Sequence, residues 1–191
     1  KVICLWKTGL LPSAGHGAGV AGLSEQHLNQ VRSEAGRLVG SRPGSSSLTL
    51  YLATLRPKEF DHIYMATCDL VCRCAATVWE NRVPLGQLHH AWAAITTRMV
   101  GEGKTIWREA RGPISSTILT LWRIDWFMYS STVLVNDREE HFNLLSISPK
   151  DLRAHLVESI ERWQGKRIIS RFEHPDGDHA QLWVRAMRQC V

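Results

Sequence analysis

The sequence predicts a mostly α-helical fold, an irregular bundle of five or six helices with a small β-hairpin near residues 127–147. Three observations predict it. Apolar residues recur at three- and four-residue spacing in several separate stretches, the period of a helix with one buried face. Residues suited to helix starts precede those stretches, and Gly, Pro and Ser punctuate the gaps between them. One region alone, from Trp126 onward, trades that period for β-branched and aromatic residues around an Asn-Asp turn.

Val2 to Trp6 is short and apolar, and a glycine-rich loop runs from Thr8 to Gly22. Ser24 then suits an N-cap, because its hydroxyl can accept from an orphan backbone N–H. Leu23 and Leu28 have the spacing of a hydrophobic staple. Leu28, Val31, Ala35 and Leu38 form one apolar face, with Arg37 on the other side. After a Gly/Pro/Ser loop at 40–47, Leu48 to Leu55 fits either strand or helix. Pro57 suits the first turn of the next helix, whose stripe is Phe60, Ile63, Thr67, Val71, Cys74 and Val78. Pro84 opens another, with Leu85, Leu88, Trp92, Ile95 and Met99 on one face, ended by Gly101 and Gly103. Gly112-Pro113 starts a helix carrying Ile114, Ile118, Leu121 and Trp122. The hairpin follows, with its turn at Asn136-Asp137. Ser148 caps the next helix, with Asp151 placed for a capping box and Leu152, Leu156, Ser159 and Trp163 facing inward. Phe172 to His179 reads as a linker and Ala180 to Val191 as a final helix cut short. The expected organisation is therefore 1–23 as a loop or linker from a preceding domain, 24–171 as the helical domain, and 172–191 as linker plus truncated helix. The chain opens on Lys1 and not on Met, so it is expected to be a section of something longer.

A hydrophobic share of 44% in 191 residues is enough for a buried core, which excludes wholesale disorder. No apolar run approaches the roughly 18 residues of a membrane span, so no membrane partner is expected. The five cysteines are odd in number and clustered at Cys68, Cys72 and Cys74, unlike a secreted disulfide framework. A reducing, intracellular setting, nuclear or cytoplasmic, is the expectation. The net charge is +5, and 17 of the 23 basic residues are arginine, the side chain suited to planar contact with phosphate. Residues 1–60 alone carry a local +4.

Motifs with catalytic or ligand chemistry are weak. Gly17-Ala18-Gly19-Val20-Ala21-Gly22 matches G-x-G-x-x-G, but no strand runs into it and no acid follows about 20 residues on, so a structural loop is favoured over a dinucleotide site. Gly101-Glu102-Gly103-Lys104-Thr105 resembles the end of a phosphate loop, yet Arg98 stands where its first glycine belongs. Cys74 falls about 160° round the helix from Cys72 at 100° per residue, so the three thiols cannot converge on one metal, and packing is expected. His89 and His90 point apart, and the His174 to His179 stretch centres on turn chemistry. No serine or cysteine triad motif and no paired aspartates appear. No catalytic residue, cofactor or metal site is expected.

Thr8-Gly9, Pro12-Ser13-Ala14-Gly15-His16-Gly17, Gly22-Leu23-Ser24, Leu28 and Val31-Arg32 form a spaced pattern. It continues in Trp107-Arg108-Glu109-Ala110-Arg111-Gly112-Pro113, Thr120-Leu121 and Ile124-Asp125-Trp126, then in a helix opening with Ser148-Pro149 and passing Trp163 and Arg167. This pattern resembles the region just after the catalytic palm in non-LTR retrotransposon reverse transcriptases, particularly the copies expanded in dinoflagellate genomes. It covers most of residues 5–170 as sparse positions. His16 departs from the family's usual aromatic and Asp125 from its usual glycine.

The resemblance implies thumb-plus-connection material between the palm and the downstream zinc-binding and RNase H parts. Such a section is non-catalytic within a polyprotein whose activity is RNA-directed DNA polymerase. It would hold template RNA or RNA–DNA hybrid through phosphates, with the rest of the polyprotein as its other partner. The expected phosphate contacts are Lys7, Arg32, Arg37 and Arg42, in the basic first 60 residues; the same residues also suit a solvated face. The alternatives are a free-standing helical protein-interaction module and, third, a nucleotide-binding enzyme using Gly17–Gly22 or Gly101–Thr105.

Overall fold

The computed structural model of the chain describes residues 17, 22–38, 49, 52–53, 58, 61–99 and 106–172. Among them are five α-helices and one three-stranded antiparallel sheet. The helices are α1 (Glu25–Leu38), α2 (His62–Trp79), α3 (Leu85–Met99), α4 (Pro113–Arg123) and α5 (Pro149–Phe172). A 3-10 turn, Ile106–Glu109, precedes α4. The strands are β1 (Phe127–Ser130), β2 (Val133–Val135) and β3 (His141–Asn143), between α4 and α5.

The caps explain where the helices begin. Ser24 Oγ accepts from the backbone N–H of His27 at 3.2 Å, and Leu23 and Leu28 are both buried, as the staple spacing requires. Ser148 Oγ accepts from the N–H of Asp151 at 3.1 Å and donates to that residue's carboxylate at 2.6 Å. The acid thus holds the capping hydroxyl and not the backbone amide of a standard capping box. α4 starts on Gly112-Pro113 without a side-chain cap, since Pro113 has no N–H to satisfy. α2 begins at His62, not at Pro57, because the Asp61 carboxylate accepts from the N–H of Ile63 and marks the boundary. Of the ambiguous 48–55 stretch, Thr49, Leu52 and Ala53 are described, and they are helical.

α2 is the centre of the bundle, packed on α5 and α4 and more lightly on α1. Ile63, Thr67, Cys68, Val71, Ala75 and Val78 form its buried side. α5 answers with Leu152, Leu156, Ser159, Ile160 and Trp163. Two helix faces are narrower than their periodicity suggests: Leu38 and Leu85 are exposed. α4 is broader, with every residue from Ser115 to Leu121 buried. Its small polar residues let neighbouring helices close in, and Ser115 and Thr117 satisfy their hydroxyls on backbone carbonyls.

The sheet order is β1-β2-β3. Met128, Leu134 and Phe142 are cross-strand partners and face the core. The next register places Phe127, Val135 and His141 together on the outer face. Phe142 stacks nearly parallel to the fully buried Trp126, with ring centroids 5.2 Å apart. The predicted turn at Asn136-Asp137 joins β2 to β3, with Asn136 Oδ1 accepting from the N–H groups of Arg138 and Glu140. A second, tighter turn at Ser131-Thr132, which sequence reading did not anticipate, joins β1 to β2 and turns the hairpin into a sheet.

Candidate functional site

Arg32, one of the four residues expected to contact phosphate, is 1% exposed and turned inward. Its Nε and Nη2 donate to the two carboxylate oxygens of Asp61 at 2.7 and 2.8 Å. Asp61 also accepts from Gln164 Nε2 at 2.8 Å, and the guanidinium lies 5.6 Å from the Trp163 ring. In this fold the fork of Arg32 joins α1 to the start of α2 and, through Asp61, to α5, with almost none of the side chain reaching solvent. A basic residue on an apolar-faced helix looks solvated in one dimension, and only the packed partner carrying Asp61 reverses that. Arg37 does face solvent, 62% exposed, and pairs with Glu34 one turn earlier at 2.7 Å. Lys7 and Arg42 lie outside the described residues.

One candidate site among the described residues is a cavity of about 360 Å³ between the start of α1, the 3-10 turn, α4 and α5. Among the described residues it is lined by Glu25, Trp107, Leu119, Trp122, Arg123 and Arg167. Arg123 is its anchor, with a side chain only 2% exposed. Nε of Arg123 donates to Glu25, Nη2 donates to the carbonyl of Leu23, and its plane lies 4.8 Å from the Trp107 ring. Nη1 is buried and has no hydrogen-bond partner. Burial lowers the Arg123 pKa from its ordinary value, Glu25 opposes that, and Arg32 and Arg167 add repulsion. Arg167 approaches Glu25 at 3.9 Å and lies 4.7 Å from the Trp163 ring. The arrangement offers aromatic walls and guanidinium donors in one concave place.

Gly22 belongs to this site's architecture. Its φ is +68°, and a Cβ there would sit 2.8 Å from the Trp107 ring. The last glycine of the G-x-G-x-x-G pattern therefore brings the chain against a tryptophan. The second loop, Gly101 to Thr105, lies outside the described residues, as does His174 to His179.

Cys68 is fully buried, and Cys72 and Cys74 are half-buried. Burial pushes the Cys68 thiol up to about 12 and the Cys72 thiol up to about 11, so both are protonated and packed at neutral pH. Among the described residues no group of three or more His, Cys, Asp or Glu side chains could hold a metal ion. No helix among them is long and apolar enough to cross a membrane.

The sequence placed Trp107 and Arg167 in the spaced pattern and Trp122 on the apolar face of its helix, but gave Arg123 no role and did not bring the four together. The available signal was local: Arg123 directly follows Trp122 at the end of a helix whose other residues are apolar or small. The chain matches no protein-family model, no curated protein and no solved structure.

Proposed function

We propose that this chain is a non-catalytic, mostly helical section of a non-LTR retrotransposon reverse transcriptase polyprotein, and that it holds template RNA or RNA–DNA hybrid through phosphate contacts. The observation that carries this reading is the arginine cavity itself. Its walls, Trp107, Trp122 and Arg123, come from the same tryptophan-rich stretch that carries the resemblance. The departure at Asp125 also speaks for it. Asp125 adopts a φ of +60° at the end of α4, a backbone conformation that suits the glycine usual in that family.

Charge on the surface fits the same role. Arg73, Arg98, Arg108, Arg111 and Arg138 are exposed and have no ion-pair partner among the described residues. Arg108 lies in the 3-10 turn that carries Trp107, and Arg111 follows just after it. Phosphate contact by such residues is sequence-independent and falls with salt. Binding of a labelled RNA–DNA hybrid, followed by fluorescence anisotropy across a salt series, tests the reading. Three or four phosphate contacts give a log–log slope of about −3. A flat response or no binding overturns the proposal.

One observation favours a second reading, a helical protein-interaction module. Phe127 and Tyr129 stand 55% and 71% exposed on the outer face of β1. An aromatic sheet face of that kind suits a protein partner. Loss of hybrid binding in the same titration, with a specific protein bound through Tyr129, would favour it.

A further inference from the structure

We propose that the open edge of β3 is a self-association surface, where a second copy of this chain adds its own β3 antiparallel about a two-fold axis and joins the two sheets into one. The proposal goes beyond the nucleic-acid reading and rests on different residues. Edges are where sheets recruit further strands, and proteins usually guard them with bulges, charge, proline or a covering element. The β1 edge is guarded: its register shifts between Met128 and Ser130, and the Met128 carbonyl accepts from Trp92 Nε1 of α3 at 3.1 Å. β3 carries no bulge and neither lysine nor proline, and Glu139, Glu140, His141 and Asn143 are all exposed.

The hydrogen bonds of β3 decide which of its main-chain groups are open. The Asn136 N–H donates to the Glu140 carbonyl at 3.0 Å, and the Leu144 N–H donates to the Thr132 carbonyl at 2.8 Å. Bonding alternates along an antiparallel strand, so Phe142, between them, also turns its main-chain groups to β2. His141 and Asn143 then point theirs away. The Glu140 N–H donates inward to Asn136 Oδ1 at 2.8 Å, so the Glu139 carbonyl, trans to it on the same peptide plane, points outward too. The Asn143 carbonyl is taken by the N–H groups of Ser146 and Ile147, both at 2.9 Å, and the Glu139 N–H by the Asn136 carbonyl at 3.1 Å. Left open among the described residues is a row: Glu139 C=O, His141 N–H, His141 C=O and Asn143 N–H. Acceptor, donor, acceptor, donor is its own complement when rotated about a two-fold axis at His141. His141 exchanges a pair of bonds with its copy, and each Asn143 N–H meets a Glu139 carbonyl. An ordinary extended strand fits less well, because it would aim a donor at the filled Asn143 carbonyl and an acceptor at the spent Glu139 N–H.

Sedimentation equilibrium of the whole chain, from about 1 to about 500 µM, is the test, since so short an edge makes a weak dimer. A monomer–dimer equilibrium is expected, with the His141 and Asn143 amides gaining hydrogen-exchange protection as concentration rises. His141→Pro removes an N–H that β2 does not use, and is expected to raise the dimer dissociation constant about tenfold or more. His141→Lys keeps the backbone but sets like charges opposite each other across the axis, and is expected to weaken the dimer as well. It is the second variant should His141→Pro fail to fold. Phe127→Ser, two strands from the edge on the same outer face, is expected to leave the dimer intact. A monomer at every concentration overturns the proposal. So does a dimer that survives in whichever His141 variant folds, or one lost in Phe127→Ser alone. Protection of the His141 and Asn143 amides in a monomer means that another segment covers the edge, and overturns it too.

Discussion

At the scale of single residues, the chain's polar chemistry is concentrated in a few buried side chains that carry structure. Asp61 is the clearest: it caps α2 and receives the Arg32 fork and the Gln164 amide, and Gln164 in turn accepts from the Tyr64 hydroxyl at 3.1 Å. Removing one partner of a buried pair leaves the other charge uncompensated. Arg32→Met is therefore expected to destabilise the fold by about 3–5 kcal/mol, read from the urea midpoint. His62, the next residue, is 1% exposed, and neither ring nitrogen has a hydrogen-bond partner. Burial lowers its pKa from 6.5 to about 4, against the pull of Asp61 and with the push of Arg123. The folded chain thus keeps His62 neutral where the unfolded chain protonates it. Stability is expected to be full above pH 6.5 and to fall as pH drops from there towards 4, by up to about 3 kcal/mol. Urea unfolding of the wild type and of His62→Leu at pH 7 and pH 4.5 checks this: the variant loses less between the two.

At the scale of elements, the ends of α2 and α4 show how local sequence meets backbone demand. Both helices close with a residue in the left-handed region, Asn81 at +51° and Asp125 at +60°. In α4 the N–H of Asp125 donates to the Trp122 carbonyl and that of Trp126 to the Leu121 carbonyl, the paired bonds of a Schellman ending. That ending swings Trp126 from the helix into the core, where it stacks on Phe142. A side chain at such a φ costs roughly 1 kcal/mol relative to glycine. Asp125 recovers part of it through an exposed contact to Lys166, worth a few tenths of a kcal/mol. Asp125→Gly is expected to stabilise the protein by about 0.5 kcal/mol, seen as a raised urea midpoint with unchanged slope. The β2–β3 turn is anchored differently. Arg162 and Ser159 of α5 donate to the Asp137 carboxylate and hold its pKa down to about 2, which pins the sheet to α5.

At the scale of the whole molecule, the helices and three of their starts were legible because they rest on contacts within four residues, whereas the start of α2 at Asp61 was not. Ser24, Pro113 and Ser148 announce three helix starts, and Asn136 announces a turn, each through a hydrogen bond or a missing donor within its own segment. The Ser131-Thr132 turn was not legible, because it carries neither glycine nor asparagine and is set by the register of β1 on β2. The breadth of α4's burial was not legible either, since Ser115, Ser116 and Thr120 read as polar until three neighbouring elements close over them.

The same division separates the site from the fold. By itself the sequence determined a helical chain with a core, an arginine bias and the tryptophans to line a cavity. The tertiary structure decided which arginines are structural and which line that cavity. It turned Arg32 inward to Asp61, 29 residues away, and brought Arg123 to Glu25, 98 residues away. The physical reason is range: a cap or a turn is settled between near neighbours, whereas the partner of a guanidinium is settled only when distant helices pack.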